Sequence, residues 1–100
     1  MKLKNKVSII TGSASGFGKG IAELFAKEGS KVIIADINET SGQEVADQIN
    51  NLGGKAKYIK TDVSNEDSMK NLIDETNNIF GCLDILVSNA GCSYSNKPST

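Results

Sequence analysis

The sequence has no histidine and no tryptophan, one proline and two cysteines in 100 residues. Without histidine it lacks the commonest metal ligand and the commonest general base at neutral pH. Cys82 and Cys92 are too few for a disulfide scaffold and read as reduced thiols, and no protein metal site is expected around them. Neither sign of charge dominates: 11 basic residues stand against 12 acidic ones, for a net charge of -1. That balance argues against nucleic acid or an anionic membrane as the partner. The longest apolar runs are short, as in Val32 to Ala35, far from the ~20 residues that span a bilayer. Met1 to Lys6 has no apolar signal-peptide core, so a cytoplasmic location is expected. What is present is 38% hydrophobic and 23% charged, the balance of one folded domain over residues 1–100.

Two periodicities alternate along the chain. Lys6 to Thr11 is a β-branched run that reads as a strand. Gly16 to Glu28 reads as a helix, with Phe17, Ile21, Leu24 and Phe25 spaced for one face and Gly29 as its stop. Lys31 to Ala35 is nearly continuously apolar, the pattern of a parallel strand buried on both faces. Glu39 to Leu52 is a second helix with Val45, Ile49 and Leu52 inward, ended by Gly53 and Gly54. Ala56 to Lys60 is a third strand. Ser64-Asn65-Glu66-Asp67 resembles a capping box with aspartate in the usual glutamate position. The helix behind it places Met69, Leu72, Ile73, Thr76, Ile79 and Phe80 on one stripe. Gly81 closes that helix, and Asp84 to Ser88 is a fourth strand.

The order β-α-β-α-β-α-β requires parallel strands, right-handed crossovers and helices on both sheet faces. The fold class expected is α/β, the N-terminal half of a Rossmann-type doubly wound parallel sheet. A sheet that stopped at its fourth strand would keep an open edge. The sequence is therefore expected to be truncated after that strand.

Between the first strand and the first helix lies Thr11-Gly12-Ser13-Ala14-Ser15-Gly16-Phe17-Gly18. A pyrophosphate is bulky and anionic. It is best held by bare backbone N–H groups at a helix N-terminus, where the helix dipole favours negative charge. Gly12 allows the sharp turn, Gly16 a close approach and Gly18 tight helix-on-strand packing. Ser13 and Ser15 would add hydroxyl donors, and Phe17 sits in the first helical turn. A flexible glycine-serine turn is the alternative, but the flanking strand and helix, and an acid at the right distance, favour dinucleotide binding.

That acid is Asp36, at the end of the second strand, followed by Ile37. A carboxylate there accepts from the ribose hydroxyls and repels a 2′-phosphate, so NAD is expected in preference to NADP. Neither Ser13 nor Ile37 is basic, so neither supplies a compensating cation. A helix cap is the alternative role for Asp36.

These residues resemble the short-chain dehydrogenase/reductase family, in its compact type that includes 3-oxoacyl-(acyl carrier protein) reductases. The turn matches the family's Thr-Gly-x-x-x-Gly-x-Gly. Asp62-Val63 falls where the family contacts adenine, and Asn89-Ala90-Gly91 matches its Asn-Asn-Ala-Gly element, with Ser88 in place of the first asparagine. The resemblance covers residues 3 to 92. It implies a cofactor site made of Gly12, Ser13, Ser15, Gly16, Phe17, Gly18, Asp36, Ile37, Asp62, Val63, Asn89, Ala90 and Gly91. It also implies hydride transfer between NAD(H) and a small-molecule alcohol or carbonyl substrate, in a homotetramer or homodimer. Asp62 could equally cap the following helix, and Asn89 could be a turn residue.

The family's catalytic serine, and its tyrosine and lysine four residues apart on a helix, are expected beyond residue 100, so no catalytic residue is assigned here. Tyr94-Ser95-Asn96-Lys97 is not taken as a substitute. Its spacing is three, Pro98 follows at once and the segment reads as a loop. Two other functions stay open: a dinucleotide sensor without catalysis, and an inert truncated fragment.

Overall fold

The computed structural model describes residues 2–88. Seven elements follow in order: β1 (Val7–Thr11), α1 (Gly16–Lys27), β2 (Lys31–Asp36), α2 (Glu39–Asn51), β3 (Lys55–Lys60), α3 (Glu66–Phe80) and β4 (Ile85–Val87). The strands form one parallel sheet in the order β3-β2-β1-β4. Chain order runs outward from β1 to β3, and α3 then carries the chain back to the other side of β1. Fold class and strand direction agree with the sequence pattern.

Period-two alternation divides the apolar residues between two cores. Ile10, Val32 and Ile34 pack under α1 and α2 with Ala22, Val45, Ala46 and Ile49. Ile9, Ile33 and Ala35 face the other way, against Leu72 of α3. The sheet is therefore covered on both faces, as the unbroken apolar run of β2 requires. All of β1, and β2 from Val32 to Ala35, is buried.

Helix faces differ from the periodic reading in three places. In α1 the buried residues are Gly18 and Ala22, with Ile21 and Phe25 packed beside them. Phe17 and Leu24 point outward, 81% and 54% exposed. The fully covered positions of this helix are thus small residues, flanked by larger ones that are partly covered. Leu52 is 87% exposed rather than inward. It is the C-cap of α2, and Gly53 at φ 95° turns the chain away there. In α3, Leu72 and Thr76 are buried and Met69 and Phe80 pack against the core, while Ile73 and Ile79 are each 37% exposed.

The cap of α3 is Asn65, whose side chain accepts from the Ser68 amide at 2.9 Å. Ser64, expected as the cap, is drawn into the preceding turn: its amide and hydroxyl both donate to Asp62 Oδ1. The asparagine one residue later is left to satisfy the helix N-terminus.

Candidate dinucleotide site

The C-terminal ends of β1, β2 and β3 form one rim, where an open parallel sheet places its ligands. The Thr11 hydroxyl donates to the Val87 carbonyl at 3.3 Å, tying β1 to β4 at the point where strand order reverses. Gly12 then turns the chain at φ 64°, and its amide donates to the Ala35 carbonyl at 2.8 Å.

Within the turn the two serines do different things. Ser13 is fully buried, and its hydroxyl donates to the Ile10 carbonyl at 2.6 Å. Its proton is committed to closing the turn, so it serves the turn's shape rather than a ligand. Ser15 is exposed and is the N-cap of α1, but its side chain makes no cap hydrogen bond. Gly16 adopts φ 57°, a left-handed conformation that side chains resist, and a Cβ built there would meet nothing within 4 Å. The space above the turn is open.

The N-terminus of α1 also differs from those of α2 and α3. Those helices begin with asparagine caps bonded to backbone amides and carry Glu39, or Glu66 and Asp67, in the first turn. Helix α1 has neither a side-chain cap bond nor an acid in its first turn. Among the described residues no side chain caps its orphan amides, which suits an anion site.

Asp36 stands beside this turn. Its Oδ2 accepts from the Ala14 amide at 3.0 Å, and its Oδ1 accepts from the Asn38 amide at 2.9 Å. An ionised carboxylate has about four acceptor positions, so two remain for a ligand. The residue both shapes the rim and presents charge on it. The sequence signalled the acid but not its bond to the glycine turn.

Two neighbours of Asp36 escaped sequence reasoning. The Tyr58 hydroxyl donates to the Asp36 backbone carbonyl at 2.8 Å. Burial, then the negative charges of Glu39 and Asp36, push the Tyr58 phenol above its usual pKa. Lys60 pairs with Asp36 in the register of β2 and β3. Register pairing puts this exposed lysine on the neighbouring strand position, a cation that inspection of Ser13 and Ile37 did not find.

Asp62 and Val63 follow β3. A small cleft of about 110 Å³ is lined by Gly12, Ala35, Asp36, Ile37, Thr61, Asp62 and Val63. Ile37 and Val63 present apolar surface at it, 59% and 43% exposed. Asp62 Oδ1 accepts from both the hydroxyl and the amide of Ser64, at 2.6 and 3.0 Å, and these bonds hold its carboxyl below the ordinary carboxylate range. Asp62 thus orders the turn before α3 and also lines the cleft. A larger cavity of about 650 Å³ lies at the opposite ends of the strands, lined by Lys4, Glu23, Lys27 and Lys55 among others. It contains none of the candidate cofactor-binding residues and lies away from the rim where parallel sheets bind ligands. Asn89, Ala90, Gly91, Cys92, Tyr94 and Lys97 fall outside the described residues.

Residues 6–100 match the short chain dehydrogenase family model. The chain belongs to the short-chain dehydrogenase family. It is 45% identical over 97 residues to secoisolariciresinol dehydrogenase of Forsythia intermedia, covering 97% of this chain and 34% of that protein. It is 53% identical over 90 residues to tropinone reductase-like 1 of Erythroxylum coca, covering 90% and 32% respectively. Among solved structures it resembles hydroxysteroid dehydrogenase from Escherichia coli with a TM-score of 0.87 and 42% identity, over 89% of this chain and 38% of that one. A short-chain type dehydrogenase/reductase from Mycobacterium marinum gives a TM-score of 0.85 at 38% identity, over 89% and 36%. The chain thus spans about a third of the length of the relatives it matches. A short-chain dehydrogenase of this fold is built to bind a dinucleotide cofactor. No helix among the described residues is long and apolar enough to cross a membrane.

Proposed function

We propose that this chain forms the NAD-binding part of an oxidoreductase that transfers hydride between NAD(H) and an alcohol or carbonyl substrate. The observation that carries the reading is the bond from the Ala14 amide to Asp36 Oδ2. It holds an uncapped helix N-terminus and a ribose-sized acceptor on one rim, as an adenosine diphosphate moiety needs.

The residues present fit such a group. The amides at the start of α1, around Gly16, Phe17 and Gly18, hold the pyrophosphate beneath the open space over Gly16. Ser15 is placed to add its hydroxyl. Asp36 accepts from the 2′- and 3′-hydroxyls of the adenosine ribose through the lone pairs its backbone partners leave free. Asp62 and the Val63 amide take the adenine edge, and Ile37 and Val63 cover its faces with apolar surface. The bound cofactor supplies the hydride, and this chain orients it.

The choice between NAD and NADP follows from charge. A 2′-phosphate would bring about two negative charges against the Asp36 carboxylate. Lys60, its register partner on β3, would weaken that repulsion without removing it, because an exposed lysine is screened and mobile. NAD is therefore the preferred form.

The test is direct. The protein is titrated with NAD and with NADP by calorimetry, and in the full-length protein reduced-nicotinamide absorbance is followed with NAD and a panel of secondary alcohols. Tighter binding of NAD supports the reading. Tighter binding of NADP removes the assigned role of Asp36, and saturable binding by the full-length protein without turnover of any alcohol leaves a sensor rather than an enzyme.

A further inference from the structure

We propose that Tyr58 is a positioning residue for the ribose site, acting through the β2–α2 turn on the carboxylate of Asp36. The proposal rests on the reading of Asp36 as the ribose acceptor and extends it to a side chain that touches no ligand.

Tyr58 lies on β3, paired in register with Ile34 of β2. Its ring leans over the sheet toward α2 and packs against the core under α1 and α2. From there the hydroxyl reaches past the end of the strand and donates to the Asp36 carbonyl at 2.8 Å. In this parallel pair the same carbonyl also accepts from the Thr61 amide at 3.1 Å. Two donors from the β3 segment thus grip the backbone of the residue whose side chain faces the ligand. Among the described residues, the Asp36 carboxylate itself is bonded to the amides of Ala14 and Asn38. Loss of the phenol bond leaves the peptide unit between Asp36 and Ile37 held by the Thr61 amide alone, so it rotates more easily. That rotation redirects the carboxylate without breaking the sheet.

A second feature is consistent with a fitted ring. Gly42 sits inside α2, where glycine costs about 1 kcal/mol relative to alanine. A Cβ at Gly42 would overlap Cε1 and Cδ1 of Tyr58. The helix gives up a favourable residue at the place where the ring passes, so ring and helix are matched. The N-cap of the same helix is Asn38, whose amide is bonded to Asp36 Oδ1. Tyr58 therefore fixes Asp36 twice: at its carbonyl directly, and at its carboxylate through the seat of α2.

The experiment is a double-mutant cycle on ligand binding to the protein, with Tyr58→Phe, Asp36→Ala and the pair, each checked for a native melt. The probes are NAD and an NAD analogue lacking the adenosine 2′-hydroxyl. Tyr58→Phe keeps the ring and removes only the donor. The proposal expects it to weaken NAD binding by about 3- to 10-fold, the size of one hydrogen bond's effect. It expects the loss to shrink for the 2′-deoxy analogue and to vanish in the Asp36→Ala background. Gly42→Ala, which displaces the ring instead of the hydroxyl, should reproduce the same loss. Equal weakening of both probes, or full additivity with Asp36→Ala, makes Tyr58 merely structural and overturns the proposal. If Asp36→Ala itself leaves NAD binding unchanged, the ribose reading fails and takes the proposal with it. If Asp36→Ala weakens binding and Tyr58→Phe does not, the proposal alone falls.

Discussion

The amide of Ala14 and the carboxylate of Asp36 are joined at 3.0 Å across 22 residues of sequence. The bond fastens the glycine turn that follows β1 to the end of β2. A charge-assisted bond of this kind stabilises by about 1.5–3 kcal/mol. It also means that Asp36 cannot be altered without loosening the turn.

Asp36→Ala should therefore do two things. NAD affinity should fall by about 10- to 100-fold, from loss of bonds to a charged acceptor. Discrimination against NADP should fall as well, because repulsion of a 2′-phosphate disappears and Lys60 remains. Calorimetric titration of both cofactors reads the two effects. An unchanged NAD/NADP ratio would show that Asp36 does not face the ribose.

Gly16→Val addresses the anion site. At φ 57° a β-branched residue costs about 1–2 kcal/mol, and its side chain enters the space above the α1 amides. The expected outcome is a melting temperature lower by several degrees together with loss of NAD binding. A variant that melts lower and still binds NAD normally would place the pyrophosphate elsewhere.

Leu72→Ala tests the second core layer. Leu72 is fully buried and is the buried α3 residue of the cluster beneath Ile9, Ile33 and Ala35. The cavity should cost about 2–5 kcal/mol, a large part of a small domain's stability. Denaturant unfolding measures it, and a cost below 1 kcal/mol (about the value for a half-exposed leucine) would mean that α3 is not seated on the sheet as described.

The Asp62–Ser64 turn gives a pH dependence. Both Ser64 bonds favour the ionised carboxyl and lower its pKa. A depressed folded-state pKa contributes stability that is fully present above the unfolded value of about 4 and is lost as pH falls through the lowered one. Ser64→Ala should move the Asp62 carboxyl upward toward the ordinary range. Carboxyl carbon NMR follows that titration, and an unmoved value would contradict the assigned cause.

The fold was legible because its rules are local. The unbroken apolar run of β2 and the stops at Gly29, Gly53 and Gly81 follow from strand burial and from positive φ at helix ends. The rim residues were legible because Gly16 and Asp36 are dictated by backbone conformation and charge. Other features depend on distances that no spacing encodes. Phe17 and Leu24 face outward while Gly18 and Ala22 are the buried positions of α1, a choice of face that spacing alone leaves open. Ser13 was indistinguishable from Ser15 until the turn showed one hydroxyl buried and the other exposed. Tyr58 and Gly42 meet only when β3 and α2 are packed. The one sequence hint was an otherwise unfavourable glycine inside a helix.

The central claim is that a dinucleotide sits at the start of α1 with its adenosine beside Asp36. Amide chemical-shift mapping during NAD titration tests it most directly. The account predicts large shifts at Gly16, Phe17 and Gly18, with further shifts from Asp36 to Asn38 and at Asp62 and Val63. Saturable shifts confined to the lysine-lined cavity at Lys4, Lys27 and Lys55, or none at all, would contradict it.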